Sequence, residues 1–469
     1  MIRKANILTL CLLLATLLLT ACYDYDRYPH DAEELSKEER LANADSLYLN
    51  LQIVNTSDVT RAEESGTSEE NAIYDGILCI FEGNGETAAT LKNATAIDQL
   101  ISNPNEPRPT VLSSSTSIDI IQRLPIGTHA YPTNGKLYAL VLLNTTSTGF
   151  TVSNNMLYLN GMSLAGKTRA QIQSMIINSV GSTDEHVGLF MTNKPKDNGQ
   201  VVIQIYDPSW TDRCYLYDSE EAISQSTYEE YKKKLTINVE RAAARLKVAN
   251  GIPAATVLDN IILNDNVDGH PKIHKMTWAV NNYYTQCYAI RGGSGGTLTT
   301  NSFRAADFTV YQQHSHQNNE AIYIAEGSTD IIVEMQLKDG SFLLDDCYQF
   351  DGTNHLYTSP TQLISHIKTS WWPANKATYG LGDTNVDEVF KNTKIEIAAN
   401  GNVTMTLTNA DLDQTKLNSV AAALSNNMIK GFREGRMYYT YNLATLERNN
   451  AYNMSLATSS ISGIGRPTP

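Results

Sequence analysis

Between Leu47 and Ile53 apolar and polar residues alternate at period two. Leu47, Leu49, Leu51 and Ile53 face one way, which predicts a strand with one buried face. Similar short apolar runs recur at residues 77–81, 137–143, 156–159, 201–206, 331–337 and 403–407, with turn residues between them. This spacing predicts β-sandwiches. Helical periodicity is sparse. Thr168 can cap a helix over 169–180, where Ile172, Met175, Ile176 and Val180 share a face, and residues 412–428 form a second candidate. The charged stretch 228–234 gives way to Leu235-Thr236-Ile237-Asn238-Val239, another alternating run, so a domain boundary is placed near residue 234.

The 469 residues are too many for one ordinary domain, and 42% hydrophobic with 18% charged residues suits folded domains rather than a disordered chain. Lys and Arg total 36 against 50 acidic residues, a net charge of −14, which argues against binding nucleic acid by bulk electrostatics. Twenty-five Tyr among many Ser, Thr and Asn favour β-sheet surfaces.

The amino end carries an address. Arg3 and Lys4 precede an apolar run over 7–19, followed by Leu19-Thr20-Ala21-Cys22. Residues 1–21 read as a signal peptide, and a Cys directly after the small-residue cleavage site is the bacterial lipobox pattern. Cys22 would then carry a diacylglycerol and a further acyl chain on its amine, and about three chains hold a protein on a bilayer where one does not. No other run is long and apolar enough to span a membrane. After an acidic tether and the alternating strand comes Val59-Thr60-Arg61-Ala62, followed by the acidic stretch 63–70. That stretch reads as a soft loop with one basic residue at its start, the kind of segment proteases cut.

Motifs of catalysis and metal binding are poorly formed. Gly292-Gly293-Ser294-Gly295-Gly296 fits the G-x-S-x-G pattern, but β-prone residues follow where a nucleophile elbow needs a helix. Residues 264–269 imitate a calcium loop, yet Lys275 stands where its bidentate Glu should be. His314 with His316, and His270 with His274, lack an evident third ligand. No cofactor or enzymatic activity is expected. Cys79, Cys214, Cys287 and Cys347 sit among β-formers and read as small hydrophobes, with one or two disulfides left open. Trp371-Trp372-Pro373 reads as core plus turn, or as an exposed adhesive patch.

The informative arrangement is a lipid-tethered amphipathic strand joined to the body through one Arg. If that strand completes a sandwich, cleavage after Arg61 would free the body and open an apolar trench beside unpaired backbone. Four buried Leu and Ile side chains, at about 1.5–3 kcal/mol each, give roughly 6–12 kcal/mol as an upper figure for filling it. The carboxyl end offers a replacement in Tyr452, Met454 and Leu456, which alternate with polar residues, and in Ile461 and Ile464 beyond. The other reading is that this is the last strand of its own domain.

The chain resembles the fimbrillins of Bacteroidales, or type V pilins, especially the major subunit of the short (minor) fimbriae. The resemblance is carried by the lipobox at Cys22, the Arg61 loop, Glu69 with Asn71-Ala72-Ile73, and Val239-Glu240-Arg241-Ala242-Ala243-Ala244-Arg245-Leu246. Glu447-Arg448-Asn449-Asn450-Ala451-Tyr452 and Ile461-Ser462-Gly463-Ile464-Gly465-Arg466-Pro467 complete it. It implies a mainly β fold of two transthyretin-like β-sandwich domains with a few short helices, after a signal peptide and a removable strand. The corresponding division is 1–21 signal, 22–61 propeptide, 62–234 first domain and 235–469 second domain. It also implies a structural subunit of an adhesive, biofilm-forming fimbrium, lipidated at Cys22 in the outer membrane, cut between Arg61 and Ala62 by an Arg-specific surface protease, and then extracellular. Leu47, Leu49, Leu51 and Ile53 would mark the lost strand, and residues 452–464 the donor to other copies or related subunits. An anchor subunit, a tip adhesin and a surface glycan-binding lipoprotein or hydrolase are the alternatives. Arg61 and the carboxyl-terminal motif disfavour the first two.

Overall fold

The computed structural model describes residues 37–55, 67, 69–97, 110–111, 117–124, 135–183, 187–210, 215–220, 223, 234–266, 268–301, 311, 313–398 and 402–456. Cys22, Arg61, Ala62, Cys214, Ile461 and Ile464 lie outside these residues. The fold is mainly β, with two β-sandwich halves and a few short helices.

The first half begins with the short helix α1 (Lys37–Asn43) and strand β1 (Leu47–Asn55). It continues with β2 (Gly76–Gly83), β3 (Thr90–Ala96), β4 (Ser117–Leu124), β5 (Lys136–Leu143), β6 (Met191–Asn193), β7 (Ile203–Tyr206), β8 (Leu216–Tyr217) and β9 (Leu235–Arg241). These nine strands make one sheet in the order β8-β1-β9-β6-β5-β2-β3, with β7 also on β5 and β4 also on β1. Its central strands are apolar on both faces, as strands covered on both sides must be. In β5, Tyr138, Leu140 and Leu142 enter one core while Leu137, Ala139, Val141 and Leu143 enter the other.

Strand β9, just after the expected boundary near residue 234, is hydrogen-bonded to β1 and β6 of the first sheet. The charged stretch precedes the last strand of this half, and the chain passes to the second half at Ala242.

The second half contains β10 (Ala243–Asn250), β11 (Lys272–Asn281), β12 (Ala321–Ala325), β13 (Gly327–Asp339), β14 (Phe342–Leu343) and β15 (Cys347–Phe350). Helices α2 (Pro360–His366) and α3 (Gln414–Met428) follow, then β16 (Ile429–Phe432), β17 (Arg436–Leu446) and β18 (Ala451–Ser455). One sheet is built on β11, β13, β14 and β17, and a smaller one runs β12-β10-β18. Trp278, Leu246, Val248, Val333 and Leu337 fill the space between them.

Two features depart from the periodicity. The helix expected over 169–180 stops at Gln173, after a capping box made by Thr168 and Gln171. Ile176 and Ile177 then pair with Tyr288 and Cys287 of the second half, so cross-half pairing ends the helix. Residues between β15 and β16 form a module of short helices and an antiparallel hairpin (Asn392–Ile397 with Val403–Thr408), and Trp371 and Trp372 are packed in its core. The adhesive-patch alternative for these tryptophans is thereby removed.

A candidate site of strand exchange

Strand β1 is clasped along both edges. On one, β4 runs antiparallel to it, from Leu47 opposite Leu124 to Val54 opposite Ser117. On the other, β8 pairs with Tyr48 and Leu49, and β9 runs parallel from Leu51 opposite Leu235 to Asn55 opposite Val239. Leu49, Leu51 and Ile53 are 0% exposed and Leu47 is 3% exposed. They pack with Ile73, Leu78, Ile120, Val141, Ile205, Leu216 and Ile237 in one core. Without β1 the sheet would have a slot one strand wide, with two rows of facing backbone groups and an apolar floor. Helix α1 lies over the mouth of this slot, where Leu41 is buried in the same core and Arg40 Nε stands 3.3 Å from Asp218.

Strand β18 lies at the edge of the second half's smaller sheet, paired with β10 alone. It runs parallel to β10, from Ala451 opposite Arg245 to Ser455 opposite Asn250. Tyr452, Met454 and Leu456 turn half-buried side chains onto the core, while Asn453 and Ser455 are exposed. Since β9 and β10 are successive stretches of one run, 235–250, β1 and β18 have the same polarity against it.

Where the run crosses between the halves, two ion clusters grip it from its two sides. Glu70 is 1% exposed. Its carboxylate accepts from Arg241 Nη1 at 2.7 Å, Arg245 Nη1 at 3.0 Å and Tyr323 Oη at 2.7 Å. Burial alone would raise this carboxyl, but Tyr323 and the two guanidinium groups outweigh it and hold it below the ordinary range. Arg241 also donates through its backbone N–H and Nε to Asn449 Oδ1 at 3.2 and 3.1 Å. Glu70 is thus tied through Arg241 to the turn that starts β18.

On the other side, Glu240 is fully buried with Arg291 Nε 3.0 Å away. Burial pushes its carboxyl up to about 7, against the pull of Arg291 and Arg448. Fully buried Arg448 donates to Glu326 at 2.6 Å and to the Tyr288 carbonyl at 3.2 Å, and its own carbonyl accepts from Arg291 Nη2 at 2.9 Å. The 447–450 turn is therefore a fixed base from which β18 departs. Sequence reasoning missed these roles for Glu70, Glu240 and Arg448, because the groups they meet are far away along the chain.

The remaining motifs do not assemble a centre. Ser294 lies in a glycine-rich loop, its amide N–H donating to Ser174 Oγ. Residues 264–266 form a turn with Asn264 in the left-handed region, its side chain accepting from Thr358. No group of three His, Cys, Asp or Glu side chains is placed to hold a metal among the described residues. Cys79, Cys287 and Cys347 are free thiols, each buried and pushed above its ordinary range by that burial. No helix among the described residues is long and apolar enough to cross a membrane.

No protein-family model matches the chain, and no curated protein matches it. Solved structures do. It is similar to a fimbrilin (fimA) from Porphyromonas gingivalis W83, with 11% identity and a TM-score of 0.38 over 90% of this chain and 92% of that one. It is also similar to a fimbrial assembly protein from Parabacteroides distasonis, with 9% identity and a TM-score of 0.32 over 64% of this chain and 83% of that one.

Proposed function

We propose that this protein is the structural subunit of a cell-surface fimbrium, exported as a lipoprotein on Cys22, cut after Arg61 and polymerised by strand exchange. The observation that carries this reading is the seat of β1. The strand nearest the lipid is built into the middle of the first sheet, yet it is joined to the body only through the loop that contains Arg61. Cutting that loop turns an intramolecular strand into a dissociable ligand, so the large effective concentration that holds it in place is lost.

A strand that replaces β1 must run parallel to β9, antiparallel to β4, and present apolar side chains at alternate positions. Strand β18, with Tyr452, Met454 and Leu456, already satisfies the polarity and the alternation against β10. In the fibre, residues 452–464 of one copy fill the slot of the next, with Ile461 and Ile464 extending the apolar face.

The test is limited trypsin treatment of the precursor. Cutting at Arg61 should yield ladders of oligomers resistant to mild denaturant, while Arg61→Ala remains a monomer. Deleting residues 452–469 should leave cleavage intact and abolish the ladders, with circular dichroism confirming the fold. Equal assembly by the cut protein and the uncut variant would refute strand exchange.

A further inference from the structure

Residues 447–450 stand between β17 and β18, so a donor made of residues 452–464 leaves its subunit from this turn. Asn449 has φ of 64°, a left-handed conformation that Gly, Asn and Asp tolerate and most residues avoid. So bent, the turn is bonded to the 235–250 run by side chain and main chain together. Arg241 donates through its backbone N–H and Nε to Asn449 Oδ1, at 3.2 and 3.1 Å. The Asn449 amide donates to the Ala243 carbonyl at 2.8 Å, and the Arg245 amide to the Asn450 carbonyl at 2.9 Å. Arg448, buried beside it, adds the bonds to Glu326 and the Tyr288 carbonyl, and its own carbonyl accepts from Arg291.

The same run forms one edge of the slot. The parallel pairing of β1 with β9 ends at Asn55 opposite Val239, and Arg241, which holds Asn449, follows two residues later. A strand that replaces β1 is therefore seated on the run immediately before the point at which the subunit's own donor is tied to it. In a fibre, tension arriving on the incoming donor reaches the outgoing one through a few residues of extended chain rather than through either core.

Strand β18 is an edge strand with a single neighbour. Ladder hydrogen bonds lie across the strands, so a pull that lifts the end of an edge strand breaks them one at a time. Beyond the turn lies β17, with Leu446 opposite Gly327 and Arg436 opposite Gln336. A pull that reached Leu446 would unzip β17 from β13 in that order. The bonds of the 447–450 turn stand between the two.

We infer that residues 447–450, through Arg448 and Asn449 and their bonds to Arg241, Ala243 and Arg245, are a mechanical stop. They pass the tension of the outgoing donor into the 235–250 run and keep it from unzipping β17. This rests on the strand-exchange reading, which supplies the tension.

Single-molecule pulling on uncut precursor tests the stop, with one handle at residue 238, exposed on β9, and the other after Pro469. In the wild type β18 should peel at low force, and residues 436–450 should come away in a separate event at higher force. Asn449→Gly keeps the left-handed bend and removes the acceptor for Arg241. It should speed the second event about tenfold or more at a given force, while Asn449→Asp, which keeps the acceptor, should behave as the wild type. With handles at residues 238 and 343 the pull does not enter through the turn, and all three proteins should rupture alike. The inference is overturned if the wild type shows no second event, if Asn449→Gly leaves its rate unchanged, or if that variant speeds rupture equally along both axes. Failure of cut precursor to assemble is a separate result, which would remove the strand-exchange reading instead.

Discussion

Leu51 stands opposite Ile120 on one edge of β1 and opposite Leu235 on the other, and no part of its side chain reaches solvent. A residue placed this way belongs to the middle of a sheet. Here it lies on the stretch of chain between Cys22 and Arg61.

The stability of the precursor should therefore depend on Leu51, and that of the processed body should not. Leu51→Ala should lower the unfolding free energy of uncut protein by about 2–5 kcal/mol, the cost of emptying a well-packed leucine site. Urea titrations of the uncut and processed forms check this, since the processed body lacks residue 51 and should unfold identically from either parent.

Glu70 accepts from two buried guanidinium groups, those of Arg241 and Arg245. Glu70→Gln should destabilise the protein at neutral pH by about 3–5 kcal/mol, because two buried ion pairs, to Arg241 and Arg245, lose their carboxylate. The Glu70 carboxyl is held below its ordinary value. Its stabilising contribution is therefore present above the unfolded-state pKa and is lost as pH falls through the depressed folded-state value. The gap between wild type and variant should stay constant across neutral pH and close only below about pH 4. Denaturant midpoints measured across pH read this out.

Glu240 has the opposite sign. Its folded-state pKa of about 7 lies above the unfolded-state 4.5, so its contribution is complete below pH 4.5 and is lost as pH rises through 7. Glu240→Gln, which imitates the protonated acid, should match the wild type near pH 4 and exceed it at pH 8 by up to about 3 kcal/mol. Thermal melts at the two pH values decide the matter.

The two halves of the candidate site were not equally legible. Leu47, Leu49, Leu51 and Ile53 announce a one-faced strand because a period of two survives wherever one face is buried and the other is not. The same logic places Tyr452, Met454 and Leu456 on one face. Periodicity says nothing of partners, so the parallel pairing of both strands to the 235–250 run came only from the structure. The helix over 169–180 was overextended because Met175, Ile176 and Val180 fit a helical face with Ile172, whereas Ile176 and Ile177 pair with Tyr288 and Cys287. Helix α3 was legible as the candidate over 412–428, whereas α2 was missed although Ser359 and Pro360 are a proper cap and first residue. Glu240 and Arg448 stand in stretches that carry the resemblance, but nothing local to them or to Glu70 names their ion-pair partners, which lie far away along the chain.

The 447–450 turn makes a further prediction. Arg448→Ala removes the guanidinium that ties the turn to Glu326 and Tyr288. Amide exchange across residues 451–455 should then accelerate by about tenfold or more, while exchange in β11 and β13 is unchanged. Mass-spectrometric hydrogen exchange on the uncut precursor separates local release from general unfolding.

The exchangeable nature of β1 is tested most directly by hydrogen exchange at residues 117–124 and 235–239 in three preparations: precursor, freshly cut monomer freed of its propeptide, and assembled fibre. These amides should be protected in the precursor, exchange rapidly in the freed monomer, and be protected again in a fibre that contains no residues 47–55. Protection that persists in the freed monomer, or a fibre that retains the 47–55 segment in equimolar amount, would contradict the account.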